Sequence, residues 1–126
     1  MSLGEGLTVL VTDDSKLSRD ALKKMLVRAG FKVDHFVEAS NGEEALEVLL
    51  TQTIDLLFLD LHMPVLNGER VLDSMAENPT LCEVPVFVVS TDDTFDRQAQ
   101  WKNIQSLGFV QKPVQFDTFK ELLQNI

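Results

Sequence analysis

Five polar side chains stand directly after apolar segments, and their types suit metal or phosphate chemistry. Asp13 and Asp14 follow LTVLVT, Asp60 ends DLLFLD, Ser90 ends VPVFVVS, and Lys112 follows GFVQ. Carboxylates that lie close together repel one another, and this raises their pKa values unless a cation lies nearby. If the four segments lie side by side, the sequence predicts an acidic site that needs a cation, flanked by a hydroxyl and an ammonium group.

The apolar segments alternate with amphipathic ones along the chain. The pattern predicts strands over 7–12, 32–40, 55–60, 84–90 and 108–111, and helices over 15–30, 42–52, 68–78, 93–107 and 116–126. Alternating strands and helices are typical of a parallel sheet with helical crossovers, and the continuously apolar strands indicate helices on both faces. We therefore predict an α/β fold with a five-stranded, doubly wound parallel sheet and five helices. Ligands of such sheets bind at the carboxyl ends of the strands.

Four of the five strand ends carry a polar group of interest, whereas the second ends near Glu38 without a matching feature. Helical periodicity places Leu17 and Leu50 on the inner faces of the first two helices. The apolar residues of 93–107 fit one stripe poorly, and its first residues are acidic. We expect this fourth helix to be weakly anchored and mobile.

Composition restricts the function classes. The 126 residues, 44% of them hydrophobic, fit a single domain spanning 1–126. A net charge of -9 argues against nucleic-acid binding. We find no signal-peptide pattern and no apolar stretch of the roughly 18 residues that a membrane span requires. The single cysteine, Cys82, rules out an intrachain disulfide and favours a reducing compartment such as the cytoplasm. Residues 1–6 lack periodicity, and we expect them to be disordered or to derive from expression.

The donor set favours a hard divalent cation. Carboxylate oxygens suit Mg²⁺, with Mn²⁺ as an alternative, and the sequence has no His/Cys set of the kind that binds zinc. Together with the metal, Lys112 and Ser90 could hold the oxygens of a phosphoryl group in transit. Asp60 would accept that group as an aspartyl phosphate.

Taken together, DD after the first strand, DLHMPVLNG after the third, Ser90 and the Lys-Pro pair resemble the receiver domain of two-component response regulators, including the chemotaxis regulators. The resemblance covers nearly the whole chain and implies the flavodoxin-like strand order 2-1-3-4-5. It also implies that Asp60 is the phosphoacceptor and that Ser90 and Lys112 contact the phosphoryl oxygens. The implied Mg²⁺ ligands are Asp13, Asp14, Asp60 and the backbone carbonyl of His62.

The same resemblance implies further roles. Ser90 and Phe109 occupy the switch positions, and because Phe109 stands where many members have Tyr, any switch here works through ring packing. His62 and Asp92 flank the site and would tune the lifetime of the phosphoryl group. The Lys112–Pro113 bond is expected to be cis. Pro64 and Gly68 are expected to be structural, with Pro rigidifying the loop and Gly permitting unusual dihedral angles.

The implied function is a Mg²⁺-dependent phosphorylation switch, not a separate enzyme, that promotes its own phosphorylation and dephosphorylation. The phosphoryl donor is a histidine kinase or a histidine phosphotransfer protein. Output passes through the face of the fourth helix, fifth strand and fifth helix, to a downstream protein or an attached output domain, with phosphorylation-dependent dimerisation as one route. The chain could be a stand-alone regulator or part of a longer regulator or hybrid kinase.

Three alternatives remain at this point. A phosphatase with an Asp nucleophile, of the haloacid dehalogenase type, needs an acid two residues after the nucleophile, where this chain has His62. A flavodoxin needs a phosphate-binding loop rich in Ser, Thr and Gly after the first strand, where this chain has TDDSKLSRD. A receiver-like scaffold that is never phosphorylated is the third. Asp14 could also serve only as the N-cap of the first helix.

Overall fold

A single parallel sheet organises the computed structural model of the chain, which describes residues 6–92 and 95–124. Its strands are β1 (Leu7–Thr12), β2 (Val33–Ala39), β3 (Leu56–Asp60), β4 (Val86–Ser90) and β5 (Leu107–Gln111). The α-helices of the described residues are α1 (Lys16–Arg28), α2 (Gly42–Thr51), α3 (Gly68–Ala76) and α4 (Phe116–Leu123). The strand order β2-β1-β3-β4-β5 confirms the predicted architecture. Apart from the exposed Gly6, the expectation for residues 1–6 falls outside the described residues.

Two hydrophobic cores, one on each face of the sheet, hold these layers together. One core joins the sheet to α2 and α3 through Leu10, Leu57, Leu59, Leu49, Leu72 and Met75. The other joins it to α1 and α4 through Val9, Val11, Phe58, Leu26, Phe119 and Leu123. Strands β3 and β4 are buried along their whole length, which explains their continuous apolar sequences. This packing fixes the carboxyl ends of β1, β3, β4 and β5 along one edge of the sheet.

The predicted inner faces of α1 and α2 are only partly correct. Leu22 and Leu26 of α1 and Leu49 of α2 are buried as expected. Leu17, however, is 82% exposed, because about two and a half helical turns separate it from the buried Leu26 and place it on the opposite side of α1. Leu50 is 66% exposed because its neighbour Leu49 takes the position that faces the core.

The predicted helix over 93–107 is wrong for the residues that the structure describes, so four α-helices replace the expected five. Among the described residues between β4 and β5, the only helical element is a short 3₁₀ turn, Ala99–Trp101. The Arg97 guanidinium donates hydrogen bonds to the backbone carbonyls of Trp101, Lys102 and Ile104. These side-chain bonds satisfy carbonyl groups that a helix would pair with amides. Asp93 and Thr94, in the acidic start of the predicted helix, lie outside the described residues.

Within the described ranges, no helix combines the length and the apolar character that crossing a membrane would require.

Candidate functional site

Three carboxylates from two strand ends meet at the carboxyl edge of the sheet. Asp13 and Asp14 follow β1, and Asp60 is the last residue of β3. One ligand oxygen from each carboxylate lies within 4.8 Å of the other two. Asp13 and Asp60 are each only 6% exposed, whereas Asp14 is exposed to solvent. The structure therefore brings together the acidic residues that the sequence singled out.

Asp60 is held in a partly desolvated position. Its Oδ1 atom accepts a hydrogen bond of 3.3 Å from the backbone N–H of His62. Burial raises the pKa of the Asp60 carboxyl, and the neighbouring Asp13 adds to this, while the positive charge of Lys112 acts in the opposite direction. The net result is a carboxylate whose negative charge needs further compensation.

Lys112 supplies part of that compensation. Its Nζ atom donates a hydrogen bond of 2.8 Å to Asp13 Oδ2 and lies 3.6 Å from Asp60 Oδ2. Burial alone would lower the pKa of Lys112, but the two carboxylates outweigh it and the pKa is raised, so the ammonium form is favoured. The Lys112–Pro113 peptide bond is cis, as expected. The backbone N–H of Lys112 donates to the carbonyl of Ser90 at 2.8 Å, which joins the ends of β4 and β5.

Ser90 completes the predicted set. It is the last residue of β4 and is fully buried. Its Oγ atom accepts a hydrogen bond of 3.1 Å from the backbone N–H of Asp92. Among the described residues the hydroxyl hydrogen has no acceptor, so it can be donated to a ligand. The residues predicted to flank the site, His62 and Asp92, are both exposed.

The loop after β3 is shaped by a close backbone approach at Gly68. A Cβ atom at this position would collide with the carbonyl oxygen of Asp60 and would lie 2.8 Å from the Cα atom of Leu61. The φ angle of Gly68 is not positive, so the expected need for unusual dihedral angles is wrong. The absence of a side chain is what the packing requires. Val65, at 67°, carries the positive φ angle in this loop.

Ser15, rather than Asp14, is the N-cap of α1. The Ser15 side chain accepts a hydrogen bond of 3.3 Å from the backbone N–H of Ser18. The capping alternative for Asp14 is therefore wrong, and its carboxylate is available to a ligand of the acidic cluster.

Phe109 lies half-buried on β5, on the strand that also leads to Lys112. Its ring stacks on Phe95, with centroids 5.5 Å apart and an interplanar angle of 10°. Phe95 also stacks on Trp101, with centroids 5.7 Å apart and an interplanar angle of 11°. Three parallel rings thus connect the predicted switch position to the segment that replaces the predicted helix.

Comparison with protein families decides the assignment. The family model described as "Response regulator receiver domain" matches residues 9–124. The chain belongs to this family.

Curated proteins with a matching receiver region carry varied additional parts. A cyclic di-GMP phosphodiesterase of Thermotoga maritima is 30% identical over 115 residues, which are 90% of this chain and 29% of that protein. The nitrate/nitrite response regulator NarL of Escherichia coli is 36% identical over 93 residues, covering 74% of this chain and 43% of NarL. This receiver domain spans between 13% and 54% of the length of the curated relatives compared.

Solved receiver structures share the fold. The chemotaxis response regulator CheY4 of Vibrio cholerae superposes with a TM-score of 0.79 at 24% identity, covering 96% of this chain and 98% of CheY4. The receiver domain of the sensor histidine kinase PA1611 of Pseudomonas aeruginosa gives 0.77 at 17% identity, covering 96% and 97% of the two chains. That structure is described as having a magnesium ion coordinated in its active-site cleft.

One pair of residues at the receiver site was missed by the sequence analysis. The Nη1 atom of Arg19 donates a hydrogen bond of 2.7 Å to the backbone carbonyl of Asp13. The Nε atom of Arg19 donates at 2.9 Å to Glu38, near the end of β2. The second strand does therefore have a feature at its carboxyl end. The two residues are 19 positions apart, and no local pattern pairs them.

Proposed function

We propose that this receiver domain is a Mg²⁺-dependent phosphorylation switch in which Asp60 accepts a phosphoryl group from a histidine kinase or a histidine phosphotransfer protein. One observation carries the proposal. The buried Asp60 carboxylate lies in a cluster with Asp13 and Asp14 whose ligand oxygens are within 4.8 Å of one another, and Lys112 stands 3.6 Å away. A nucleophile, acidic metal ligands and a fixed cation are the parts that phosphoryl transfer to a carboxylate requires.

The donor set fits Mg²⁺. Three clustered carboxylates, two of them buried, offer hard oxygen ligands and negative charge that Lys112 alone does not balance. Asp13, Asp14, Asp60 and the backbone carbonyl of His62 would hold the ion, for which Mn²⁺ can substitute. When bound, the ion neutralises charge on the carboxylates and on the phosphoryl oxygens. The magnesium described in the PA1611 receiver supports this assignment.

The transfer itself is a displacement at phosphorus. A carboxylate oxygen of Asp60 attacks the phosphorus atom of the donor's phosphohistidine, a P–O bond forms, and the P–N bond breaks. The electron pair of the broken bond stays on the imidazole nitrogen of the donor. The Lys112 ammonium and the Ser90 hydroxyl donate hydrogen bonds to the phosphoryl oxygens and stabilise the charge that they carry.

Hydrolysis reverses the modification. The oxygen of water attacks the phosphorus atom, and the bond between phosphorus and the Asp60 oxygen breaks. The electron pair of that bond restores the Asp60 carboxylate, and the phosphoryl group is released with the water oxygen as inorganic phosphate. His62 and Asp92 are exposed at the rim of the site, where they can govern the approach of that water. The receiver promotes both steps with the same residues, and no separate catalytic domain is needed for them.

Phosphorylation changes the packing around Ser90, Lys112 and Phe109. Negative charge on Asp60 attracts the Ser90 hydroxyl and Lys112, and because Phe109 cannot donate a hydrogen bond, its ring responds through packing. The output surface then comprises β5, α4 and segment 95–104, which stands in place of the expected helix. This surface would bind a downstream protein, an attached output domain or a second copy of the chain. The net charge of -9 makes nucleic acid an unsuitable partner for this surface.

Intact mass after incubation with acetyl phosphate tests the proposal. We expect one added phosphoryl group that requires Mg²⁺ and is lost in Asp60→Asn. Asp34→Asn, a change of the same type at an exposed position, serves as the control and should behave like the wild type. If no mass is added, beryllofluoride binding followed by Trp101 fluorescence distinguishes rapid hydrolysis from a site that does not react. If neither an added mass nor a fluorescence change is observed, the alternative of a scaffold that is never phosphorylated is favoured.

A further inference from the structure

The bond from Arg19 to Asp13 points to a role for a residue that touches neither metal nor phosphate. We propose that Arg19 is a positioning residue, which fixes the backbone of the Asp13–Asp14 pair in the geometry that binds a divalent cation. The proposal rests on the proposed function, since it assigns Arg19 to the metal site of that switch.

Every hydrogen-bonding group of Asp13 is engaged in the structure. Its backbone N–H donates to the carbonyl of Ala39 at 3.1 Å, and its own carbonyl accepts from Arg19 at 2.7 Å. In the side chain, Oδ1 accepts from the backbone N–H of Ser15 at 2.9 Å, and Oδ2 accepts from Lys112 at 2.8 Å. The bond from Arg19 is the one that controls the carbonyl end of the residue.

The orientation of this carbonyl also determines the position of the Asp14 backbone nitrogen. The carbonyl of Asp13 and the N–H of Asp14 belong to one planar peptide unit, so fixing the carbonyl fixes the plane. The Asp14 side chain is exposed and gains no support from burial. Its direction towards the acidic cluster therefore depends on the backbone that Arg19 holds.

Arg19 is itself firmly placed. Its side chain is only 15% exposed, and two of its donors are used in two directions, one to Asp13 and one to Glu38. Glu38 also accepts a hydrogen bond of 3.1 Å from Lys23, on the next turn of α1. A guanidinium group presents several donors in a rigid plane, whereas the single ammonium of a lysine cannot reproduce this fork. The carboxyl end of β2 thus supports the metal-binding loop through Arg19.

The charge of Arg19 and its positioning bond would affect Mg²⁺ affinity in opposite directions. A cation near the cluster repels Mg²⁺, so loss of Arg19 would strengthen metal binding if only its charge mattered. Loss of a positioning bond would weaken binding instead. Partners that orient metal ligands in this way commonly change affinity by about 10-fold to 100-fold when they are removed.

Binding of Mg²⁺ by the intact chain, measured from backbone amide shifts during titration, distinguishes these cases. For Arg19→Met we expect the dissociation constant to rise about tenfold. Arg19→Lys keeps the charge but loses the planar set of guanidinium donors, and we expect its dissociation constant for Mg²⁺ to rise several-fold. The matched control is Lys23→Met, which also removes one positive charge from α1. It deletes the separate hydrogen bond from Lys23 to the other oxygen of Glu38 and the contact with Asp20, and it leaves the bond from Arg19 to Asp13 in place. It should bind Mg²⁺ as tightly as the wild type, or slightly more tightly.

Urea unfolding without metal shows whether each variant folds. If Arg19→Met does not fold, the Mg²⁺ affinity of Arg19→Lys tests the proposal instead. The proposal is overturned if Arg19→Met binds Mg²⁺ as tightly as Lys23→Met, or if Arg19→Lys matches the wild type. A wild-type protein that binds no Mg²⁺ would overturn the proposed function as well. Wild-type binding combined with unaffected variants would overturn only the role of Arg19.

Discussion

The indole Nε1 atom of Trp101 donates a hydrogen bond of 2.8 Å to the Oδ1 atom of Asp73 on α3. Trp101 is 1% exposed, so this bond satisfies a polar group that is buried within one of the two cores. It ties the segment between β4 and β5 to a neighbouring helix. Segment 95–104 therefore has a fixed anchor even though it does not form the expected helix.

We predict that Asp73→Ala lowers the free energy of unfolding by about 1–2 kcal/mol, because the buried indole N–H then lacks its acceptor. Urea unfolding followed by Trp101 emission measures this directly. Ser74→Ala, at an exposed position on the same helix, is the control, since it brings a similar gain in helix propensity without affecting Trp101. Equal stabilities of the two variants would show that the bond contributes nothing.

The strand ends could be predicted from the sequence because each apolar segment stops abruptly at a polar residue. Asp13, Asp60, Ser90 and Lys112 all lie at the predicted edge of the sheet, since parallel topology sends the carboxyl ends of the strands in one direction. The doubly wound parallel sheet and the meeting of the acids at one edge follow from that pattern, whereas the strand order was implied by the family resemblance. The roles of the individual residues remain predictions.

What the sequence did not reveal depends on contacts between distant residues. Nothing near Arg97 indicates that its side chain donates to three backbone carbonyls in the segment where a helix was predicted. The pairing of Arg19 with Glu38 likewise joins separate elements. Leu17 shows a different error, because the predicted inner face of α1 was too wide: helical geometry places Leu17 on the opposite side of α1 from the buried Leu26.

The ring stack predicts a fluorescence response to occupation of the site. Phe95 stacks on both Phe109 and Trp101, so a change in the packing of Phe109 can reach the indole through one ring. We expect beryllofluoride with Mg²⁺ to change Trp101 emission in the wild type and to change it much less in Phe95→Leu. Phe116→Leu alters an aromatic ring that instead contacts Arg28, and it should retain the full response. A full response in Phe95→Leu would mean that the signal reaches Trp101 by another path.

Val65 is a site where stability can be gained. Its φ angle of 67° is unfavourable for a β-branched residue, and its side chain is 73% exposed, so little packing compensates for the strain. We expect Val65→Asn to raise the free energy of unfolding by about 1 kcal/mol, because Asn tolerates left-handed backbone angles better. Val65→Ala, which removes the β-branch but lacks a polar side chain that can hydrogen-bond to the nearby backbone, should gain less. Chemical denaturation measures the difference, and a less stable Asn variant would contradict the assignment of strain.

Asp60→Asn should stabilise the metal-free protein at neutral pH. Burial and the neighbouring Asp13 raise the pKa of the Asp60 carboxyl above its usual value, so its ionised form is less favourable in the folded state than in the unfolded state. A raised pKa means that the folded protein binds this proton more readily. The stability gained from the protonated form is therefore present in acid and is lost as the pH rises through the raised pKa.

Urea unfolding of both proteins, without metal and across a series of pH values, tests this sign. The variant should be more stable at neutral pH by roughly 1 kcal/mol, the usual order of magnitude for the effect of a single substitution. The difference should shrink as the pH falls through the raised pKa. Asp34→Asn, at an exposed position, should show no such dependence. A variant that is less stable at neutral pH would mean that the Lys112 contact outweighs the burial and repulsion that act on Asp60.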